Sequence, residues 1–249
     1  MTRIDSYEDL TENIVRWLKD YYYDNNSVKA FVIGVSGGID SAVVSSLCAR
    51  TGLPTYVVCM PLESKFENSR LSDVHSKALE EKYENVKRIE VELFSAYDSL
   101  LKSIDWWTEK GEYTSSEHAN ANTKSRMRMV TLYQIAGTVG GIVVGTGNKV
   151  EDYGVGFYTK YGDGGVDIAP IADLYKTEVW ELGEYLEVDQ RIVDADPTDG
   201  LWVDSRSDEE QLGASYEQLE EAMETGKGPG VEVLKKFNTQ NKHKMEPIP

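Results

Sequence analysis

Only two cysteines occur in the chain, Cys48 and Cys59, and neither stands in a CxxC or in a Cys/His spacing that suits zinc. Both lie in apolar stretches, which predicts buried, reduced thiols rather than a disulfide or metal framework. Long hydrophobic runs are missing too. None approaches the roughly 18 residues that a membrane span needs. Met1 to Leu10 is charged where a secretory signal would be apolar. A cytoplasmic protein with no membrane association is expected. Basic residues are scarce: 26 Lys and Arg face 43 Asp and Glu, for a net charge of −17. Such a surface repels nucleic acid and anionic lipid. An anionic ligand must therefore be held locally, by backbone amides, a few placed cations or a metal ion. No internal repeat or low-complexity tract is present.

What remains is a globular composition, 40% apolar, with helical and strand-like segments in alternation. Tyr7 to Tyr22 reads as an amphipathic helix with Ile14, Val15 and Leu18 on one face. Ala30 to Val35 reads as a buried strand, followed by a glycine turn and a helix from Ala42 to Arg50. A second strand is expected at Thr55 to Met60, a charged helix at Glu67 to Tyr83, and a half-exposed strand at Val86 to Leu93, where Ile89, Val91 and Leu93 alternate with acids. Trp106 to Ala121 reads as a loop, Asn122 to Gly137 as a helix and Gly141 to Gly145 as a buried strand. Gly147 to Gly165 reads as an active-site loop and Leu174 to Leu186 as a helix. Short acidic helices are expected at Ser207 to Leu212 and Ser215 to Glu224, ahead of a basic patch at Lys242, His243 and Lys244. The alternation predicts an α/β fold: a Rossmann-like, doubly wound, mostly parallel sheet with helices on both faces.

Ser36-Gly-Gly-Ile-Asp40-Ser41 is the most informative stretch. Gly37 and Gly38 let the backbone turn tightly and bring N–H groups to an anion, and the following helix start adds its positive dipole end. Ser36 and Ser41 carry hydroxyls that can donate to phosphate. An acid inside such a loop implies a cation between it and the phosphates, and Mg²⁺ takes one or two carboxylates plus phosphate oxygens. The GK[ST] ending of a Walker A loop is absent. A plain glycine-rich β–α turn with a Ser or Asp cap is the structural alternative.

The stretch resembles the pyrophosphate loop of the ATP pyrophosphatases. Further motifs narrow the resemblance. Asn122-Thr-Lys-Ser-Arg126-Met-Arg128-Met129, Gly145-Thr146-Gly-Asn-Lys-Val-Glu151, Tyr158 to Asp167 (YTKYGDGGVD), Leu174-Tyr-Lys176, Pro197-Thr198 and His243-Lys244 are similar in order and spacing to the NAD synthetase family. The resemblance spans nearly the whole chain. It implies an enzyme that uses ATP to activate the nicotinate carboxylate of deamido-NAD for attack by ammonia, giving NAD, AMP and pyrophosphate. It also implies a homodimer with the dinucleotide site at the subunit interface. Glutamine-dependent members carry an additional amidase domain. With the first strand at Ala30 to Val35, the expectation is one domain over residues 1–249 without that domain, and free ammonia as nitrogen donor.

The resemblance also implies residue roles. Asp40 and Glu151 match Mg²⁺ ligands. ATP contacts fall on the loop, from Gly34 and Val35 through Ser36, Gly37, Gly38, Ile39, Asp40 and Ser41. Thr146, Lys176 and Thr198 complete that set, with Lys176 offsetting charge as pyrophosphate separates. Asn122, Arg126, Lys160, Asp167, His243 and Lys244 match contacts to deamido-NAD. Asp163 is placed as an aid to ammonia deprotonation by position alone. The chain departs from the commonest bacterial pattern in two places: one extra residue lies between Glu151 and Lys160, and Gly147-Asn148-Lys149 replaces Asp-His. His75 and His118 match nothing. The aromatic runs Trp106-Trp107 and Tyr21-Tyr22-Tyr23 read as packing or dimer surface. Two rivals stay open at this level: another ATP pyrophosphatase, of the GMP synthetase or tRNA-modifying kind, and a non-catalytic ATP sensor that keeps the glycine loop alone.

Overall fold

The computed structural model describes residues 4–62, 68–108, 116–197 and 207–246. In chain order the elements are α1 (Tyr7–Asp24), β1 (Phe31–Gly34), α2 (Ile39–Arg50), β2 (Thr55–Cys59), α3 (Asn68–Lys82), β3 (Val86–Glu90), α4 (Phe94–Thr108), α5 (Glu117–Val139) and β4 (Ile142–Val143). A π-helical turn, Val150–Val155, precedes α6 (Lys176–Tyr185), α7 (Gln190–Val193), α8 (Asp208–Leu212), α9 (Tyr216–Thr225) and α10 (Gly230–Met245). The described strands form one sheet in the order β3-β2-β1-β4, and every pairing is parallel.

Side-chain alternation distributes the core between two faces. Phe31 and Ile33 of β1 pack with Leu18 of α1, Val43 and Leu47 of α2, and Val179 and Leu182 of α6. Val32 points the other way, into Val58, Val143, Tyr97 of α4 and Ala136 of α5. Both faces are thus covered, as an all-parallel sheet requires. Phe31, Val32 and Ile33 are fully buried, each contributing about 1.5–3 kcal/mol. A satellite core joins the π-turn to the C-terminal helices: Val150 and Val155 meet Tyr216 and Leu219 of α9 and half-buried Leu234 and Phe237 of α10.

Several elements differ from the sequence expectation. The third strand ends at Glu90 rather than Leu93, because the Glu92 carboxylate accepts from the N–H groups of Phe94 and Ser95 and starts α4. Helix occupies both ends of the span expected as loop. α4 reaches Thr108, and α5 begins at Glu117 behind the Ser116 cap, whose hydroxyl accepts from Ala119 N–H at 3.1 Å. The expected strand Gly141 to Gly145 shrinks to Ile142–Val143, extended by a single parallel bridge between Val144 and Ile168. The expected glycine-rich loop contains the π-turn, and the basic tail is the last turn of the 16-residue α10. Cys48 and Cys59 are free and buried, as expected. Tyr21 and Tyr22 pack against the core and Tyr23 is exposed, whereas the side chains of Trp106 and Trp107 lie outside the described residues.

His75, without a role in the sequence reading, fastens α3 to α2. Its Nε2 lies 3.0 Å from Ser45 Oγ, and the ring is buried. Burial lowers its pKa from 6.5 to about 4, although a backbone bond to Ala42 and the charge of Asp189 pull upward. A depressed folded-state value stabilises the fold fully above pH 6.5, and the contribution fades as pH falls toward 4. The size of that loss is on the order of 3 kcal/mol. Calorimetric melts from pH 7 to 4 are therefore expected to fall more steeply for the native chain than for His75→Gln. Parallel profiles would exclude a buried neutral histidine.

Candidate active site

The chain runs from β1 outward to β2 and β3, then returns to β4 on the other side of β1. The loops after β1 and β4 thus leave the same sheet edge from neighbouring strands. This is the switch point where open α/β sheets bind ligands. The first loop is residues 35–38 and the start of α2. Gly37 adopts φ +96°, a conformation that side chains rarely take, and Gly38 caps α2 without a side-chain bond. Its two hydroxyls hold the turn in shape: Ser41 Oγ donates to Gly38 O (2.9 Å), Gly38 N–H donates to Ser36 Oγ (3.2 Å), and the two oxygens stand 3.1 Å apart. Gly34 and Val35 lead in from the strand, with Val35 N–H donating to Val58 O at 2.9 Å. Ile39 is buried beneath the turn.

Asp40, in the first turn of α2, meets Lys176, the first residue of α6. Lys176 Nζ donates to Asp40 Oδ2 at 2.5 Å and to Glu151 Oε1, in the π-turn, at 3.0 Å. Close packing of α6 on α2 brings them together. Gly183 sits so near Ile39 that an added Cβ would meet its Cδ1 at 2.5 Å. Burial opposes the charge on Lys176, but Asp40 and Glu151 outweigh it and hold the ammonium above the ordinary lysine range. Burial also raises the Glu151 carboxyl above its ordinary range; Lys176 pulls it down and Asp40 adds to the rise. Asp152, half-buried beside Glu151, is pushed up to about 7, by desolvation first and then by the charges of Glu151, Asp163 and Asp40. Its carboxylate lies against Gly147, where a Cβ would stand 2.2 Å from Oδ2. Among the described residues no group of three or more His, Cys, Asp or Glu side chains is close enough to hold a metal ion by itself.

Three members of this cluster escaped the sequence reading. Asn148 is fully buried, donates to Asp40 Oδ1 at 3.0 Å, and accepts from the N–H groups of Val150 and Glu151 at 3.1 Å each. It therefore caps the π-turn and orients Asp40 together. Its place three residues before Glu151 was the available signal, since Asn is a preferred N-cap. Tyr216 and Asp208 arrive from α9 and α8, with Tyr216 OH 2.8 Å from Glu151 Oε1 and 3.3 Å from Asp208 Oδ2. Thr146 lies two residues past the Val144 bridge, on the way to this cluster. Thr198 lies outside the described residues.

A second cluster gathers around residues 158–163. Asn122 Oδ1 accepts from Thr159 Oγ1 (2.7 Å), and Arg126 Nε donates to Lys160 O (3.3 Å). The end of α10 is pinned to the same stretch: Lys160 Nζ donates to His243 O (2.8 Å), Lys244 Nζ to Tyr158 O (2.8 Å), and Tyr158 OH to Lys244 O (2.9 Å). Burial lowers the Lys244 pKa. Asp163 Oδ1 accepts from Ser125 Oγ (2.6 Å) and Thr159 N–H (3.0 Å), so this carboxylate braces the loop. Asp167 likewise anchors the sheet edge, accepting from Val143 N–H (2.7 Å) and Tyr133 OH (3.1 Å). The structure thus brings Asn122, Arg126, Lys160, His243 and Lys244 together, and sets Asp167 apart, beside β4. The clusters sense each other electrostatically through Asp152 and Asp163, both of which raise the Tyr158 pKa after burial does.

A turn rich in backbone N–H groups beside an acidic loop, at the switch point of a parallel sheet, defines a nucleotide-binding α/β protein. The family model for NAD synthase matches residues 10–247, and the chain belongs to that family. An NH(3)-dependent NAD(+) synthetase of Carboxydothermus hydrogenoformans is 34% identical to it over 245 residues, covering 96% of this chain and 95% of the relative. Among solved structures, an NMN synthetase from Francisella tularensis is similar with a TM-score of 0.86 and 31% identity, covering 99% of this chain and 98% of that one. An NH3-dependent NAD synthetase from Campylobacter jejuni gives a TM-score of 0.76 and 25% identity, with 98% of each chain covered.

Proposed function

We propose that the chain is an ATP-dependent carbon–nitrogen ligase that amidates the nicotinate carboxylate of deamido-NAD with ammonia. The observation that carries this reading is the convergence of Asp40 and Glu151, from the loops after β1 and β4, on the buried Lys176 ammonium at the switch point. Two carboxylates drawn to one cation, beside a turn of backbone N–H groups, are the donor set that Mg²⁺ shares with phosphate oxygens. Asp40 and Glu151 would hold that ion, which when bound would neutralise charge on the polyphosphate. The 35–41 turn, Thr146, Lys176 and Thr198 form the proposed ATP site. Asn122, Arg126, Lys160, Asp167, His243 and Lys244 form the proposed site for the acid substrate.

In this reading a carboxylate oxygen attacks the α-phosphorus and the bond to the β-phosphate oxygen breaks. Lys176 offsets charge on the departing pyrophosphate. Neutral ammonia then attacks the acyl carbon, AMP leaves with the transferred oxygen, and a proton is lost to solvent. No side-chain nucleophile is needed, so the residues act by position and charge. Asp163 contributes by bracing the 158–163 loop, which its contacts with Ser125 and Thr159 support. A homodimer is part of the proposal, with exposed Leu100 and Ile104 of α4 and Val130 and Tyr133 of α5 as candidate contacts. No described helix is long and apolar enough to cross a membrane. A cytoplasmic location suits an enzyme that consumes ATP.

A second reading keeps the site and changes the acid: nicotinate mononucleotide would be amidated to NMN. It is favoured by the likeness to the Francisella tularensis structure, whose TM-score of 0.86 exceeds the 0.76 of the Campylobacter jejuni enzyme. Incubation with ATP, Mg²⁺ and ammonium plus either acid separates the two. The first reading expects the larger kcat/KM with deamido-NAD, and the second with the mononucleotide. ATP binding without AMP release for either acid would exclude both.

A further inference from the structure

We propose that Tyr216 and Asp208 are a positioning pair for Glu151, through which the C-terminal helices complete the metal and phosphate site. The inference rests on the reading of Asp40 and Glu151 as ligands of a divalent ion.

Tyr216 is fully buried, and its phenol oxygen lies 2.8 Å from Glu151 Oε1 and 3.3 Å from Asp208 Oδ2. A phenol has one proton to donate, and the shorter contact marks Glu151 as its acceptor. The ring has two further contacts: Trp180 packs edge-on with centroids 5.8 Å apart, and Lys176 Nζ lies 5.0 Å from the ring centroid. Glu151 Oε1 thus receives two donors, Lys176 and Tyr216, which together set the rotation of the carboxylate. Orientation of a ligating carboxylate by such outer hydrogen bonds governs metal affinity.

The same helix reaches the other partner. Glu220 follows Tyr216 by one turn, on the same face of α9. Its carboxylate accepts from Thr177 N–H (3.0 Å) and Thr177 Oγ1 (2.7 Å), at the start of the helix that carries Lys176. Asp208, buried, adds a third negative charge that acts on Lys176. One C-terminal unit therefore touches both sides of the Glu151–Lys176 contact.

The test is Mn²⁺ binding to the full chain with α,β-methylene-ATP, read from the electron paramagnetic resonance signal of free Mn²⁺. Tyr216→Phe keeps the ring and removes the hydroxyl. It is expected to weaken Mn²⁺ binding by roughly 10-fold or more. The KM for Mg·ATP should rise, while the KM for ammonium and the melting midpoint stay near native. Asp208→Asn should weaken Mn²⁺ in the same direction, and it decides the matter if the phenylalanine variant does not fold. A folded Tyr216→Phe with Mn²⁺ affinity within twofold of native overturns the proposal, as does an unchanged Asp208→Asn where that variant decides. Asp40→Ala is the reference: if it binds Mn²⁺ as tightly as the native chain, the ligand reading itself fails, and the pairing with it.

Discussion

Lys176→Met is expected to cost the fold more stability than any other single change in the described site. The methionine keeps the volume and removes the cation, leaving Asp40 and Glu151 facing each other in a largely buried setting. Breaking a buried ion pair costs about 3–5 kcal/mol, and a chain of this size loses about 2–4 °C per kcal/mol, so the melting midpoint should drop by roughly 10 °C. Turnover should fall at least about 100-fold, because charge on the departing pyrophosphate goes uncompensated. Calorimetry with and without Mg²⁺ adds a sharper reading. A divalent ion that binds between the two carboxylates stabilises the folded state by mass action. Mg²⁺ should therefore raise the midpoint of the variant more than that of the native chain. A variant that melts like the native chain, with or without Mg²⁺, would mean that Lys176 does not hold the two acids together.

Asp40→Asn and Glu151→Gln carry the second large effect. Each keeps shape and removes charge, and each leaves Lys176 one carboxylate partner out of two. AMP release should fall by about 10³-fold in either variant, the scale of losing a group aimed at developing charge. Circular dichroism should be unchanged. Because the two acids share one lysine and are read as sharing one metal ion, their effects should not add. The double variant should be little slower than the worse single one. Independent, multiplicative losses would indicate that the two carboxylates act at separate places.

Much of this arrangement was legible in the sequence because its signals are local. An apolar run into Ser36-Gly37-Gly38 followed by a helix gives β1, the turn and α2 without knowledge of anything distant. The alternation of strand-like and helical segments gives the parallel order. Asp40, Glu151 and Lys176 were marked by motif order, and they meet in space. What stayed hidden depends on contacts between remote parts of the chain. Tyr216 lies 65 residues from Glu151 in sequence, and helical periodicity assigns it to a buried face without saying what waits opposite. Asn148 looked like a departure from a familiar pattern, and its two roles emerge only when the π-turn wraps around its side chain. The start of α5 is polar and exposed over its first turn, so its composition mimics a loop. α10 half-buries only a narrow set of side chains, including Leu234 and Phe237, so the sequence showed the basic patch at Lys242 to Lys244 without the helix that carries it. Asp163 was marked by position alone and Asp167 by motif order, and neither signal announces the bonds they make to loop and strand backbone and to neighbouring hydroxyls.

In the proposed reaction the substrate carboxylate takes AMP from ATP before ammonia arrives. Deamido-NAD labelled with ¹⁸O in its carboxylate, incubated with the chain, ATP, Mg²⁺ and ammonium, tests it directly by mass spectrometry of the products. One labelled oxygen is predicted in AMP, with none in pyrophosphate. Release of ADP with label in inorganic phosphate, or AMP free of label, would contradict the account.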